Sequence, residues 1–207
     1  MQTVIPLEPG DYYHIYDRGV NRENIFLEEL NYAYFLKLYL RHVTPIAKTY
    51  AYCLLGNHFH LLVKIRMRTE AVYPAASVAK TAMVPVSPRL ASKAFNNFLT
   101  AYAKGMNKTY HRTGPLFQHH FGRIRVTSDR YYLALVRYIH RNPQQHGLVK
   151  NFRAWPFSSY QNLLSSEPTP LERAKVLDWF GGPRRMRALH AGGDGSILDK
   201  IIGTDAD

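Results

Sequence analysis

Cysteine is nearly absent from this sequence of 207 residues, which carries only Cys53. One cysteine cannot close a disulfide within the chain, so the class of small disulfide-stapled secreted proteins is excluded. No apolar run reaches the roughly 18 residues of a transmembrane helix. The N-terminal segment also lacks a basic stretch followed by an apolar one, so we expect no signal peptide. These features predict a protein of a reducing compartment, the cytoplasm.

Acidic residues are scarce as well: 15 Asp and Glu stand against 27 Lys and Arg, for a formal charge of +12 at pH 7. A balance this basic predicts a polyanionic partner, and nucleic acid is favoured over a membrane surface. The length and the 46% hydrophobic content suit one globular domain with its own core. A chain of this composition is not expected to be disordered.

The order of hydrophobic patterns predicts an α+β domain. Short aromatic and β-branched runs predict strands, and apolar residues that recur every three to four positions predict helices. The predicted strands cover residues 12–16, 48–55, 58–65 and 120–127, and the predicted helices cover 28–43, 92–110 and 129–142. We expect Pro143 to end the last helix near Asn142. The order β–α–β–β–α–β–α predicts a ferredoxin-like antiparallel sheet with helices packed on one face.

Two segments differ in composition from the rest. Residues 66–92 contain three prolines and many small residues, and they predict a mobile loop within a main domain of residues 1–165. In the C-terminal extension, residues 166–207, the segment "EPTPLERAKVLDWFGG" predicts a short helix. The glycine-punctuated remainder predicts flexibility.

The segment "NHFHLLV" places two histidines, His58 and His60, in an otherwise apolar strand. Residues i and i+2 of a strand point to one face, roughly 7 Å apart. Two imidazoles at that spacing can bind one divalent ion, because a neutral imidazole offers a free lone pair. A pair of hydrogen-bonded core histidines is the alternative, and spacing alone leaves it open. Two buried imidazoles need polar partners, and a shared ion would supply one to each.

A site with two histidines needs a further ligand, and the helix predicted over 129–142 offers one. Tyr138 and Asn142 are four residues apart and therefore share a helical face. Both lie at the flank of the apolar stripe, whereas a tyrosine that serves only packing would more often lie at its centre. Either residue could instead be structural, since the chain has 15 tyrosines and Asn142 precedes a proline.

Five segments, in order and at matching spacing, resemble the REP-associated tyrosine transposases, which belong to the single-tyrosine HUH transposases of bacterial insertion sequences. They are "YHIYDRGVNRENIF", "GNHFHLLV", "FNNFLTAYAKGMNKTYHRTGPLFQHHFGRIRV", "YLALVRYIHRNPQQHGLV" and "WPFSSY". The resemblance covers about residues 10–165. The ordered set of His-x-His, "RYIHRNP" and "WPFSSY" is its most specific part.

The resemblance implies a role for each matching residue. His58 and His60 match the histidines that hold a divalent metal, Mg²⁺ or Mn²⁺, and Tyr138 matches the nucleophile that forms a 5′-phosphotyrosine. Asn142 falls where related enzymes carry an amide-type third ligand, often Gln. Because Asn is shorter, direct ligation by Asn142 stays open. The implied activity is that of a metal-dependent single-stranded DNA endonuclease and strand transferase for DNA transposition. It would act beside palindromic hairpins at the bacterial nucleoid, as a monomer or homodimer.

Basic side chains suited to phosphate contacts are spread along the chain. The candidates for DNA binding are Arg18, Arg22, Lys104, Lys108, Arg112, Arg123, Arg125, Arg137 and Arg141. Arg137 and Arg141 are also candidates for activating Tyr138, since tyrosine has an unperturbed pKa of about 10. For each of these residues, a solvated basic surface is the alternative.

Two other functions compete with this interpretation. One is a catalytically silent protein that binds nucleic-acid hairpins without cutting them. The other is a metal hydrolase that uses water instead of tyrosine. Metal-dependent cleavage would exclude the silent binding protein. A covalent DNA–protein intermediate would exclude the water-using hydrolase.

Overall fold

A computed structural model of the chain describes residues 4–73, 80–118 and 120–192. In chain order, its strands and α-helices are β1 (Tyr12–Arg18), α1 (Glu29–His42), β2 (Ala47–Leu54), β3 (His58–Ile65), β4 (Arg68–Tyr73), β5 (Lys80–Pro85), α2 (Pro88–Thr109), β6 (Gly122–Val126), α3 (Asp129–Gln145), α4 (Tyr160–Leu164), α5 (Arg173–Phe180) and α6 (Pro183–Ala191). The predicted α+β class and its element order from β1 to α3 are confirmed, with β4 and β5 as an insertion.

Four strands form an antiparallel sheet in the order β2-β3-β1-β6. The register places Tyr16 of β1 opposite His60 of β3, and Arg18 opposite His58. Directly opposite residues share a face of the sheet, so these four side chains lie on one face. Phe59, between the two histidines, lies on the other face because side chains alternate along a strand.

Helices α1 and α2 cover the face that carries Phe59. The ring of Phe35 in α1 lies 5.1 Å from Phe59 and 4.6 Å from Phe98 in α2. The prediction placed the helices on one face of the sheet, and α1 and α2 lie together on one face. Helix α3 packs on the opposite face, where the ring of Tyr138 lies 5.4 Å from that of His60. The histidine face is therefore covered by a helix of its own.

The segment predicted as a mobile loop contains two paired strands instead. β4 and β5 run antiparallel, with Arg68 opposite Pro85 and Tyr73 opposite Lys80. Two of the three prolines that suggested a loop fall at the ends of elements, because Pro85 closes β5 and Pro88 opens α2. Proline is tolerated at both places, since neither needs its missing N–H. Residues 74–79, which join the strands, lie outside the described residues.

The described part of the C-terminal extension belongs to the same core as the sheet. Trp179 of α5 stacks between Tyr50 and Tyr132, with ring centroids 5.0 Å from each. Phe180 and Met186 are buried. The predicted short helix is confirmed as α5, whereas α6 forms where flexibility was predicted, because Met186 and His190, one turn apart, are both buried. Residues 193–207 lie outside the description. Within the described ranges, no helix combines the length and apolarity needed to cross a membrane.

Candidate active site

Helix α3 carries Tyr138 and Asn142 onto the histidine face of the sheet. It begins at the N-cap Ser128, whose hydroxyl accepts a hydrogen bond from the Tyr131 amide. It does not end at Pro143, as predicted, but continues to Gln145. The proline lacks only its own N–H, and the His146 amide still donates to the Asn142 carbonyl at 2.9 Å. Asn142 thus lies inside the last turn, fully buried.

His58 is a neutral, oriented imidazole. Burial lowers its pKa to about 4. Its Nδ1 lies 2.6 Å from Oδ1 of Asn57, and Asn57 is itself oriented because its Nδ2 donates to the Arg22 carbonyl at 3.2 Å. An amide oxygen only accepts, so Nδ1 of His58 carries the proton and Nε2 presents a lone pair.

The lone pair of His58 faces a second acceptor. Nε2 of His58 lies 3.3 Å from Oδ1 of Asn142. Two acceptors at this distance repel each other, unless a cation lies between them or the amide turns to present Nδ2 as a donor. As placed, Nδ2 of Asn142 is buried without a hydrogen-bond partner in the described part of the chain.

His60 points a second lone-pair position into the same region. Its Nδ1 lies 3.0 Å from Nε2 of His14, and its Nε2 is buried with no hydrogen-bond partner among the described residues. Burial, followed by the neighbouring His14 and His58, holds the pKa of His60 well below its usual range. If Nδ1 of His60 donates to His14, then its Nε2 is a free acceptor.

These three side chains fit a small divalent cation by the chemistry of their donor atoms. Nε2 of His58, Nε2 of His60 and Oδ1 of Asn142 are neutral lone-pair donors, and the two imidazole rings lie 5.1 Å apart. No group of three or more His, Cys, Asp or Glu side chains among residues 4–73, 80–118 and 120–192 is placed to hold a metal ion. A third protein ligand would therefore be of another type, which an amide oxygen satisfies.

Tyr138 lies beside the histidine pair in the same chain. Its ring meets His60 edge-on at a centroid distance of 5.4 Å and His14 at 6.2 Å. Tyr138 is half-buried, whereas Asn142 one turn later is fully buried. The arrangement brings a phenol, two imidazoles and an amide together without a second chain.

Two of the predicted DNA-binding residues lie next to His58. Arg18 and Arg22 line a cleft of about 130 Å³ together with Asn57, His58 and His146. Arg22 has a left-handed backbone with a φ of 61°. The cleft offers positive charge directly beside the candidate metal ligands.

The other predicted DNA-binding residues lie elsewhere. Arg123 and Arg125 share the α2 face of the sheet, because they stand opposite Ile15 and Tyr13. Arg123 donates to Ser92 of α2, and Arg125 pairs with Asp11. The remaining residues are Lys104 and Lys108, exposed on α2; Arg112, paired with Glu23; and Arg137 and Arg141, which donate to carbonyl oxygens of Gly192 and His190 at the end of α6.

Two histidines near the site were missed in the sequence. His14 contacts His60, and His146 lies with its ring 4.9 Å from His58. The sequence signal for His14 is that it shares one face of β1 with Tyr12 and Tyr16. This signal points to the site only once the pairing of β1 with β3 is known. His146 follows Asn142 by one helical turn.

Comparisons with known proteins bear on the resemblance. No protein-family model matches the sequence. A curated protein of Haemophilus influenzae, "Putative REP-associated tyrosine transposase", is 26% identical over 136 residues, which span 66% of this chain and 68% of that protein. A solved structure described as "Structure of the REP associates tyrosine transposase bound to a REP hairpin" superposes with a TM-score of 0.58 at 16% identity, and covers 81% of this chain and 88% of that one. The resemblance seen in the motifs is confirmed: this chain is similar in sequence to a curated REP-associated tyrosine transposase and shares the fold of a solved one.

Proposed function

We propose that this protein is a metal-dependent endonuclease and strand transferase for single-stranded DNA, which binds palindromic hairpins and cleaves beside them through a 5′-phosphotyrosine. The observation that carries the proposal is the contact of Tyr138 with His60, at 5.4 Å between rings, in a site that also holds His58 and Asn142. A phenol beside two neutral imidazoles suits nucleophilic attack on a phosphodiester.

The chemistry is a balanced exchange of phosphate esters. The Tyr138 oxygen attacks the phosphorus, the bond to the 3′ oxygen breaks, and the proton lost by the phenol is matched by one gained on the new 3′-OH. The energy of the ester bond is kept in the phosphotyrosine, so a second DNA end can reverse the step and complete strand transfer. A bound Mg²⁺ or Mn²⁺ would polarise the phosphate and offset its developing charge.

The residues of the chain prepare this step. His58, His60 and Asn142 would hold the ion, and His14 would fix the orientation of His60 as an outer partner. Arg18 and Arg22, in the cleft beside His58, would bind the phosphates on either side of the scissile bond. Arg137 and Arg141, which donate to the end of α6, are less suited to activating Tyr138.

The choice of DNA rests on the charge and on the relatives. The net charge of +12 favours a polyanion. The solved structure with this fold is bound to a REP hairpin, and the curated relative is named for the same transposases. We therefore extend hairpin binding to this chain.

A silent hairpin-binding protein is the second candidate. It is favoured by one observation: both nitrogens of His58 lie within hydrogen-bond distance of amide groups, and if the Asn142 amide turns to present Nδ2, both are satisfied without a metal. The buried Nε2 of His60, which has no hydrogen-bond partner in the part of the chain that the structure describes, argues against it.

A single gel assay separates these functions. The full chain is mixed with a labelled DNA hairpin with single-stranded flanks, in Mn²⁺, in Mg²⁺ and in EDTA. The proposal predicts metal-dependent cleavage and a DNA–protein adduct that survives SDS. Cleavage without an adduct would indicate a water-using hydrolase, and binding without cleavage would indicate the silent protein. Either result would contradict the proposal.

A further inference from the structure

His146, at the end of α3, is a polar ring of the candidate site to which the proposed chemistry gives no role. Its amide donates to the Asn142 carbonyl at 2.9 Å, and Gly147 follows with a left-handed φ of 69°. Glycine adopts this conformation at little cost, and the helix ends there. The backbone of His146 is therefore fixed, and its ring lies 4.9 Å from that of His58.

The cleft beside His58 presents positive charge and hydrogen-bond donors. It has a volume of about 130 Å³ and is lined by Arg18, Arg22, Asn57, His58 and His146. None of these lining residues is acidic. Small-ligand pockets usually measure roughly 300–1,000 Å³, so the cleft suits one phosphate group rather than a whole nucleotide. A phosphate bound there would meet two guanidinium groups and the ring of His146.

The ring of His146 can donate to such a ligand. Neither of its nitrogens makes a hydrogen bond among the residues that the structure describes. Both polar atoms of the Asn57 side chain, by contrast, are engaged by His58 and by the Arg22 carbonyl. Burial, followed by the charge of Arg18, lowers the pKa of His146, so the ring is neutral at pH 7. A neutral imidazole still carries one N–H donor.

His146 does not complete a set of histidine ligands for an ion. Nε2 of His58 faces Asn142 at 3.3 Å, whereas the ring of His146 meets that of His58 edge-on, at 71°. In the ranges that the structure describes, no three His, Cys, Asp or Glu side chains are placed to hold a metal ion. The N–H of His146 is therefore better placed to contact DNA in the cleft.

Tyr138 and His146 lie at opposite ends of the histidine pair. The ring of Tyr138 lies 5.4 Å from that of His60. The ring of His146 contacts His58 instead, and it follows Tyr138 by two helical turns, about 12 Å along the axis. When one oxygen displaces another at phosphorus, the attacking and leaving oxygens lie on opposite sides. A nucleophile at the Tyr138 end therefore directs the leaving oxygen toward the His146 end.

We propose that His146 is a catalytic residue that donates a hydrogen bond to the departing 3′ oxygen of the scissile phosphodiester. The Tyr138 oxygen bonds to phosphorus as the bond to the 3′ oxygen breaks. The N–H of His146 stabilises the negative charge that develops on that oxygen. The 3′ oxygen then takes its proton from solvent, so His146 begins and ends the step neutral. The inference rests on the proposed function, because it assigns a role within that reaction.

The test compares two leaving groups in the full chain and in His146→Phe, which keeps a ring beside His58 but has no N–H. Each protein receives Mn²⁺ and a DNA hairpin whose scissile 3′ bridging atom is either oxygen or sulfur, and single-turnover cleavage is measured. With oxygen, His146→Phe should be about 10- to 1,000-fold slower, as when one donor to a developing oxyanion is lost. With sulfur, which leaves as a stable thiolate and needs little help from a donor, the two proteins should cleave at similar rates.

Two binding measurements separate catalysis from binding. The affinity for the hairpin, by anisotropy in EDTA, and the affinity for Mn²⁺, by calorimetry, should be the same in both proteins. His42→Phe, the same change at the end of α1, should keep the full rate with the oxygen substrate. Equal slowing of His146→Phe with oxygen and sulfur would show that the ring only packs. A loss of Mn²⁺ affinity would show that it acts on the ion, and either result would overturn the inference.

Failure of the proposed function gives a different result. If the unchanged protein forms no metal-dependent adduct with the hairpin, both the proposed function and the role of His146 are wrong. If the unchanged protein forms the adduct and His146→Phe cleaves the oxygen substrate equally fast, only the role of His146 is wrong.

Discussion

Nε2 of His58 lies 3.3 Å from Oδ1 of Asn142, although the two residues are 84 positions apart in the chain. The contact joins β3 to α3 and sets two lone pairs against each other. Neither group is charged at neutral pH, since burial lowers the pKa of His58 to about 4. A shared cation makes this contact favourable, and the same geometry places Tyr138 one helical turn away.

Replacing Asn142 by a carboxylate tests this contact. In EDTA, Asn142→Asp should destabilise the protein by about 1–3 kcal/mol, because a charge is then buried beside the His58 lone pair. Mn²⁺ should raise its melting temperature more than that of the unchanged protein, since a carboxylate binds the ion more strongly than an amide does. Differential scanning fluorimetry measures both effects. Asn151→Asp, at an exposed cap, is the control, and an equal Mn²⁺ response in all three proteins would exclude Asn142 as a ligand.

His14 should matter through His60. The His14→Phe variant keeps an aromatic ring in the buried position but removes the partner of Nδ1 of His60. We expect the affinity for Mn²⁺ to fall roughly 10- to 100-fold, as for other outer partners of ligating histidines. Isothermal titration calorimetry with Mn²⁺ measures the change. His42→Phe, at the end of α1, should leave the affinity unaltered, and an unaltered affinity in His14→Phe would show that the His14 contact is only structural.

Gly122 makes room for an aromatic ring at the site. A Cβ at this position would overlap the ring of Tyr16, which lies opposite in β1 and 4.9 Å from His14. Gly122→Ala should cost about 1–3 kcal/mol of unfolding free energy through overpacking, as measured by urea denaturation. At Gly192, where φ is −67° and an added Cβ makes only ordinary contacts, the same change should have little effect. Equal effects at both glycines would contradict this role.

Acid should destabilise the protein through buried histidines that pack α6 on α3. His140 and His190 are 2.9 Å apart and fully buried, and burial lowers the pKa of His190 to about 4 and that of His140 well below 6.5. Below pH 6.5 these two histidines bind protons in the unfolded chain but not in the folded chain. Their contribution to the free energy of unfolding is therefore fully present above pH 6.5 and is lost as the pH drops. The loss approaches about 1.4 kcal/mol per pH unit for each histidine, until its folded pKa is reached.

The His190→Phe variant isolates this effect. It removes one of the two histidines, so urea denaturation in EDTA should show a shallower decline of unfolding free energy between pH 6.5 and 4. The raised pKa of Asp17 acts in the opposite direction, because the folded chain then binds the proton, but it is common to both proteins. His42→Phe should keep the full slope. Identical slopes in all three proteins would show that His190 does not contribute.

The local part of the site could be predicted from the sequence. A strand repeats every two residues and a helix about every four, so the shared faces of His58 with His60 and of Tyr138 with Asn142 follow from spacing alone. The resemblance to the transposase family then assigned the histidine pair and the Tyr138–Asn142 pair to one active site. The order of the elements was also predictable, because each has its own hydrophobic period.

What depends on pairing between distant segments could not be predicted in this way. His14 is a partner of His60 only because β1 pairs with β3. Arg123 and Arg125 lie away from Tyr138 because the register with β1 turns them toward α2. The strands within residues 66–92 were missed because prolines at their ends resembled those of a loop. Each of these facts follows from register or tertiary packing, which single-sequence patterns do not encode.

The covalent adduct tests the central claim most directly. The full chain is incubated with Mn²⁺ and a hairpin oligonucleotide that releases its cleaved end, and the trapped adduct is digested and mapped by mass spectrometry. The account predicts a nucleotide on the peptide that contains Tyr138, no adduct in Tyr138→Phe with hairpin binding retained, and an undiminished adduct in Tyr16→Phe, although Tyr16 also lies near His60. An adduct that persists in Tyr138→Phe, or that maps to Tyr16, would contradict it.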